Sequence, residues 1–178
     1  MRTTLLAVPL GLGLVACGGG GDSLSGGDNF TGMYQVTLHQ RNTSAGPDPI
    51  PCTDFGADVT GEEQYFQIVV DDFLGDPNIL EMHPCMTDPG QCDDFGFVHF
   101  NAHGDYLQED GWSVQTDSGC AASAIRHYGV FVDATTLRIE EKDWYQTFDD
   151  PDCPLDLAEG LLDTPDCDRN EAWEGTRL

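Results

Sequence analysis

Gly32-Met33-Tyr34-Gln35-Val36-Thr37-Leu38-His39-Gln40 is the stretch from which the fold can be read. Tyr34, Val36 and Leu38 alternate with Gln35, Thr37 and His39, the period of a strand with one apolar and one wet face. The pattern recurs downstream. Residues 65–73 (YFQIVVDDF) read as a second strand, stopped by Gly75-Asp76-Pro77-Asn78, and 79–83 as a third, so 71–78 has the look of a hairpin connection. Residues 95–100 give a fourth strand, and Trp112 with Val114 marks a fifth. In 121–132, Ala122-Ser123-Ala124 would suit a helix, but Tyr128-Gly129-Val130-Phe131-Val132 favours one bent strand or two short ones. Residues 135–141 follow as a further strand after a tight turn at Asp133-Ala134, and 172–178 as a closing one. A short helix fits 154–162, where proline suits the first helical position and Leu157, Leu161 and Leu162 share a side. Seven to nine short strands in succession predict an all-β fold, an antiparallel meander forming a barrel or sandwich with that one helix.

Ahead of the first strand, residues 1–16 have the layout of a secretory signal: Arg2 supplies the positive end, and an apolar run ends in the small Ala16. A transmembrane helix needs about 20 apolar residues, so this run is too short to span. Leu14-Val15-Ala16-Cys17 resembles the lipobox of bacterial lipoproteins, an aliphatic residue, a tolerant position, a small residue and then cysteine. The resemblance implies cleavage before Cys17, a diacylglyceryl thioether on its sulfur and a third acyl chain, palmitate-like, on the new amino terminus. Gly18, where an Asp would favour inner-membrane retention in that family, implies the outer membrane. One acyl chain binds a bilayer only marginally, at about 0.8 kcal/mol per buried methylene, whereas two or three make a lasting anchor. Residues 17–29, rich in glycine, then read as a lipidated cysteine and flexible tether, and 30–178 as a single domain.

Without Arg2 the seven basic residues become six, against 32 acidic ones, so a chain cleaved before Cys17 has a formal charge of −26. Such a charge repels nucleic acid and anionic lipid head groups. The 17 aromatic residues spread through the sequence argue for a folded core in spite of it. Six cysteines remain after Cys17, an even number that in an exported chain reads as three disulfides. The short spacings predict Cys85–Cys92 across a turn and Cys153–Cys167 around the helix, which leaves Cys52–Cys120 to tie the proline-rich loop 41–60 to the later sheet. No C-x2-C pair exists to suggest zinc.

Reactive motifs are absent from the sequence. No Gly-x-Ser-x-Gly elbow occurs, and the glycine runs lie in the tether, preceding no helix that would cradle phosphate. His99 and His103 have helical ligand spacing, but on a strand residues four apart are about 13 Å apart. His39, His83 and His127 sit singly on strands. The carboxylate pairs Asp71-Asp72, Asp93-Asp94, Glu140-Glu141 and Asp149-Asp150 read as solvated surface in a chain with 32 acids. The acidic segment 149–171 is the one place where a cofactor suggests itself: Asp166, Asp168 and Asn170 match the first ligand positions of an EF-hand loop, so weak calcium binding is an expectation. The match fails at Glu171, where that loop needs glycine, and at Arg177, where it needs Glu.

The opening Thr31-Gly32-Met33-Tyr34 resembles the Gly-x-Trp start of lipocalin-like barrels, with Tyr34 in the place of Trp. In general plan the chain resembles the cysteine-rich lipoproteins of Gram-negative bacteria. The expectation is a non-enzymatic, membrane-anchored binding or structural module of the cell envelope. The alternatives are a carrier of a small apolar ligand, which the lipocalin-like resemblance implies, and a hydrolase using paired carboxylates. Replacing Cys17 by Ser is expected to abolish incorporation of radiolabelled fatty acid and to shift the chain out of the detergent phase; a wild type that takes up no label would refute the anchor.

Overall fold

The computed structural model describes residues 26–45, 48–71, 76–93, 98–116, 119–148 and 153–178. The signal segment, Cys17 and most of the tether lie outside these residues, as do residues 72–73 and 95–97 of two expected strands and the Asp149-Asp150 pair. Eight antiparallel strands form the body: β1 (Gly32–Thr43), β4 (Tyr65–Val70), β5 (Ile79–Cys85), β6 (Val98–Ala102), β7 (Tyr106–Gln115), β8 (Cys120–Phe131), β9 (Thr136–Phe148) and β11 (Arg169–Arg177). Each pairs with the next in this order, and β11 pairs back onto β1, so the meander closes into an eight-stranded barrel. Within the excursion between β1 and β4, β3 (Ala57–Asp58) adds to β1, and β2 (Ile50–Pro51) pairs with β10 (Asp166–Cys167).

Eight strands leave an interior just wide enough for side chains to fill. Across β7, β8, β9, β11 and β1 the register sets inward residues in rows. One row holds Leu107, Gly129, Ile139, Trp173 and His39, the next Phe131, Leu137, Gly175 and Val36. Tyr34, Phe66, Ile68, Leu80, Met82, Val98 and Phe100 fill the facing wall, all but excluded from solvent. Phe30 plugs this end, stacked on Phe131, and Arg177 lies over the Tyr34 and Phe131 rings. The last four residues of the expected tether are not loose: Gly26–Asn29 form a 3-10 turn across the same end. Gly27 is buried there because its missing side chain lets it press on the Pro77 carbonyl, where any Cβ would collide.

The first strand keeps its expected period only as far as Val36. A register shift between Val36 and Leu38 inserts one residue, so His39 turns inward and is fully buried while Leu38 is half-exposed. A β-bulge of this kind reverses the facing of everything beyond it. Residues 121–132 form one continuous strand, and β9 runs seven residues past the expected end at Glu141. At the turn before β9, Asp133 Oδ1 accepts the Thr135 and Thr136 backbone N–H groups, as an aspartate in such a turn can. The helix α1 (Leu155–Leu161) is present, with Pro154 as its N-cap rather than its first helical residue. Its Ala158, Leu161 and the following Leu162 pack on Ala122, Ala124 and Trp144, the outer face of β8 and β9.

Cys85–Cys92 forms as expected; the other two disulfides do not. Cys52 joins Cys167 and Cys120 joins Cys153, in place of the expected Cys153–Cys167 and Cys52–Cys120. Strand register overrides sequence proximity here, since loop-closure cost grows only slowly with length. Closing β11 on β1 sets Cys167 opposite Ile50, beside Cys52, and Cys120 starts β8 opposite Phe148, just short of Cys153.

Gly175 gives a direct test of the closure. It faces inward from β11 against side chains of β1 and β4, and a Cβ there would lie 2.5 Å from Phe66 Cε1 and 2.9 Å from Tyr34 Cβ, against a pair of rings stacked at 4.9 Å. Gly175→Ala is expected to cost about 1–3 kcal/mol in thermal or denaturant unfolding. Gly160→Ala, on open helix surface, is expected to be neutral or mildly stabilising.

Candidate functional site

The residues of the barrel interior change character along its length. Past the row of Trp173 and His39, the next inward row is Glu109, His127, Glu141, Glu171 and Arg41, and the one beyond it Gly111, Ile125, Asp143 and Arg169. Glu171 is fully buried and holds this end together. Its Oε1 lies 2.5 Å from His39 Nε2 and accepts hydrogen bonds from Arg41 Nε at 2.9 Å and Nη2 at 2.7 Å, while Oε2 takes the Arg169 guanidinium. Burial alone would raise this carboxyl, but donation from His39, Arg41 and Arg169 outweighs it and lowers the pKa to about 2. An ionised carboxylate has no proton to give, so His39 donates from Nε2; its ring stacks on Trp173 with centroids 5.1 Å apart. Trp173 Nε1 donates to Glu63, whose carboxyl burial pushes above the ordinary value.

Arg169 extends the network across β9. Its Nη1 is 3.1 Å from Glu141 Oε1 and 3.4 Å from Asp143 Oδ2, and Glu141 Oε2 in turn is 3.3 Å from His127 Nε2. Asp143 is the poorly served member. Burial and the neighbouring Glu141 charge raise its pKa to about 6, and Arg169 and His127 offset them only in part. Glu109, opposite His127 on β7, has its carboxylate taken by the Asn101 amide.

This polar end is also where the wall parts. β6 and β7 share only two residue pairs, and β7, β8 and β9 are 10, 12 and 13 residues long against five to seven for β4, β5 and β6. The longer strands project beyond the barrel as a flap, clamped from outside by α1 and the Cys120–Cys153 link. A groove of about 500 Å³ runs over the flap at the level of Gly111, Ser113, Ser123, Ile125, Asp143 and Tyr145, whose register positions all face inward. Ser113 and Ser123 hydroxyls are 2.9 Å apart, and Tyr145 is largely exposed at the rim.

The residues singled out from sequence fare differently. Asp166, Asp168 and Asn170 are not drawn into one site: Asp166 is exposed, Asp168 Oδ2 accepts the Tyr145 N–H at 2.5 Å, and Asn170 is buried with its amide on the Pro51 carbonyl. Among the described residues no group of three His, Cys, Asp or Glu side chains is placed to hold a metal ion. His99 is exposed near Glu81, and His103 stacks on Tyr106 beyond the strand end. Glu140 does lie on the outer face, salt-bridged to Arg138 and Lys142, whereas its neighbour Glu141 is buried within. The interior cluster His39, His127, Glu141, Asp143 and Glu171 was not visible as one. Continuing the alternation Leu137, Ile139 for two further steps points to Glu141 and Asp143, and this was the available signal. Comparison with family models, with curated proteins and with solved structures finds no match to this chain.

Glu171 and Asp143 have opposite signs in pH. Glu171, lowered from 4.5 to about 2, contributes stability that is complete above pH 4.5 and lost as pH falls towards 2. Asp143, raised from 3.8 to about 6, subtracts stability as pH rises from 3.8 through 6. Glu171→Gln is therefore expected to cost about 3–5 kcal/mol at pH 7 and progressively less towards pH 2. Asp143→Asn is expected to gain about 1–3 kcal/mol at pH 8 and nothing near pH 4. Melts of both variants and the wild type across pH 2–8 measure this, and a stabilising effect of Asp143→Asn that is the same at pH 4 and pH 8 would contradict it.

Proposed function

We propose that this chain is a lipid-anchored binding module of the bacterial cell envelope, tethered to the outer membrane through acyl chains on Cys17, and that it takes a small polar ligand at the open end of its barrel. The observation that carries the reading is the asymmetry of the interior, packed with rings at one end and lined with ionised groups leading to a groove at the other. A rigid barrel holding a few oriented polar groups at an open end is the usual build of a ligand site. The flap strands are fixed from outside by α1 and a disulfide, so the groove is largely formed before anything enters it.

The alternatives have less support. An apolar carrier needs interior volume, and Tyr34, Phe66, Phe100, Leu137, Ile139 and Trp173 occupy that space at 1% exposure or less. A hydrolase with paired carboxylates needs two carboxyls facing across a gap that a substrate can enter. Glu141, Asp143 and Glu171 instead converge on the Arg169 guanidinium. The acidic balance of the chain argues against nucleic acid as a partner.

The test is a thermal-shift screen of the full chain in detergent against cationic, anionic and neutral polar small molecules, with Ser123→Trp as a blocked groove. At least one compound is expected to raise the wild-type midpoint, by an amount equivalent to about 2.7 kcal/mol at a hundredfold excess over Kd, and to leave Ser123→Trp unmoved. A panel in which no class does so would overturn the reading.

A further inference from the structure

We infer that the groove on the flap is a site for a small organic cation, an ammonium or guanidinium group on a short apolar stem, with its charge seated against Asp143. This rests on the binding reading above and names the class of ligand. The chemistry of the groove comes from its deep end. Among the described residues Glu141, Asp143 and Glu171 share the Arg169 guanidinium, and Arg41, which also holds Glu171, is divided in turn with Glu62. An anion entering this field meets uncompensated negative charge, whereas a cation supplies what is missing.

Asp143 itself points the same way: its Oδ1 is buried without a hydrogen-bond partner, although 29% of the side chain remains accessible. A carboxylate oxygen offers acceptor capacity and a donor-only group such as ammonium or guanidinium is its complement. The walls suit the stem of such a ligand: Ile125 gives an apolar floor, Gly111 leaves room, Tyr145 presents a ring at the rim, and the Ser113 and Ser123 oxygens keep free lone pairs. Glu141, Asp143 and Glu171 meet around Arg169, and among the described residues no three such side chains are placed to hold a metal ion, so the arrangement fits a hydrogen-bonded organic cation better than a coordinated metal.

Isothermal titration of the full chain in detergent at pH 7.5 and low salt tests this, with n-butylammonium and n-butylguanidinium as probes and n-butanol and butyrate as neutral and charge-reversed comparisons. Saturable binding of at least one cation and neither comparison is expected, at least tenfold weaker in Asp143→Asn and lost in Ser123→Trp. Lowering the pH to 5.0 is expected to weaken the wild type about tenfold as Asp143 takes up a proton. His127, Glu141, Glu171 and Arg169 face Asp143 from β8, β9 and β11 and persist in Asp143→Asn, so that variant is expected to lose most of the pH dependence. Absence of cation binding, binding indifferent to Asp143→Asn, or equal binding of butanol or butyrate would overturn the inference. If the screen yields groove-dependent ligands that are anionic or neutral, the cation assignment alone falls; if it yields none, the binding reading falls with it.

Discussion

The carboxylate of Glu171 is the point on which the barrel closes. It sits on β11, the last strand, and two of its three donors, His39 and Arg41, come from β1, the first. Buried with no solvent of its own, it stays ionised because those donors and Arg169 replace water, and each donor is in turn oriented by it. A closed meander has only one seam at which residues distant in sequence must find each other, and here that seam is fixed by a charge. The Tyr34–Phe66 stack under Gly175 supplies the apolar counterpart at the other end of the same strands.

An acidic chain has few cations to give to such work, and this one concentrates them. Of the basic residues after Cys17, Arg41, Arg138, Lys142, Arg169 and Arg177 all lie on β1, β9 and β11, with Arg126 alone on β8, where it binds Asp110 in bidentate fashion. Outside the barrel, Arg138 bridges Glu140 and Glu174 across β9 and β11; inside, Arg169 does the same for Glu141 and Glu171. The three strands that complete the closure are thus stitched on both faces. Asp143, with one oxygen on Arg169 and the other without a hydrogen-bond partner, is the least well matched, and the groove begins there.

The strands were legible because their alternation is local. Residues 65–70, 79–83 and 98–100 declare themselves by period alone, and the all-β meander follows from their number and spacing. The site was not legible, for two physical reasons. The bulge after Val36 reverses the strand's facing, so His39, which the simple alternation sends to solvent, becomes one of its most buried residues. And although the alternation from Leu137 and Ile139 carries on to Glu141 and Asp143, their charge reads as surface, and pairing with His127 and Arg169 on neighbouring strands is what groups them inside. The disulfides failed in the same way, because Cys52 and Cys167 meet only once β11 has returned to β1.

The direction of β1 fixes which way the molecule looks. The chain enters at the pole sealed by Phe30 and the Gly26–Asn29 turn, and β1 then carries it 12 residues, on the order of 40 Å, towards the other pole. Gly26 and the groove on the flap are thus at opposite ends of the domain, and neither crowds the other.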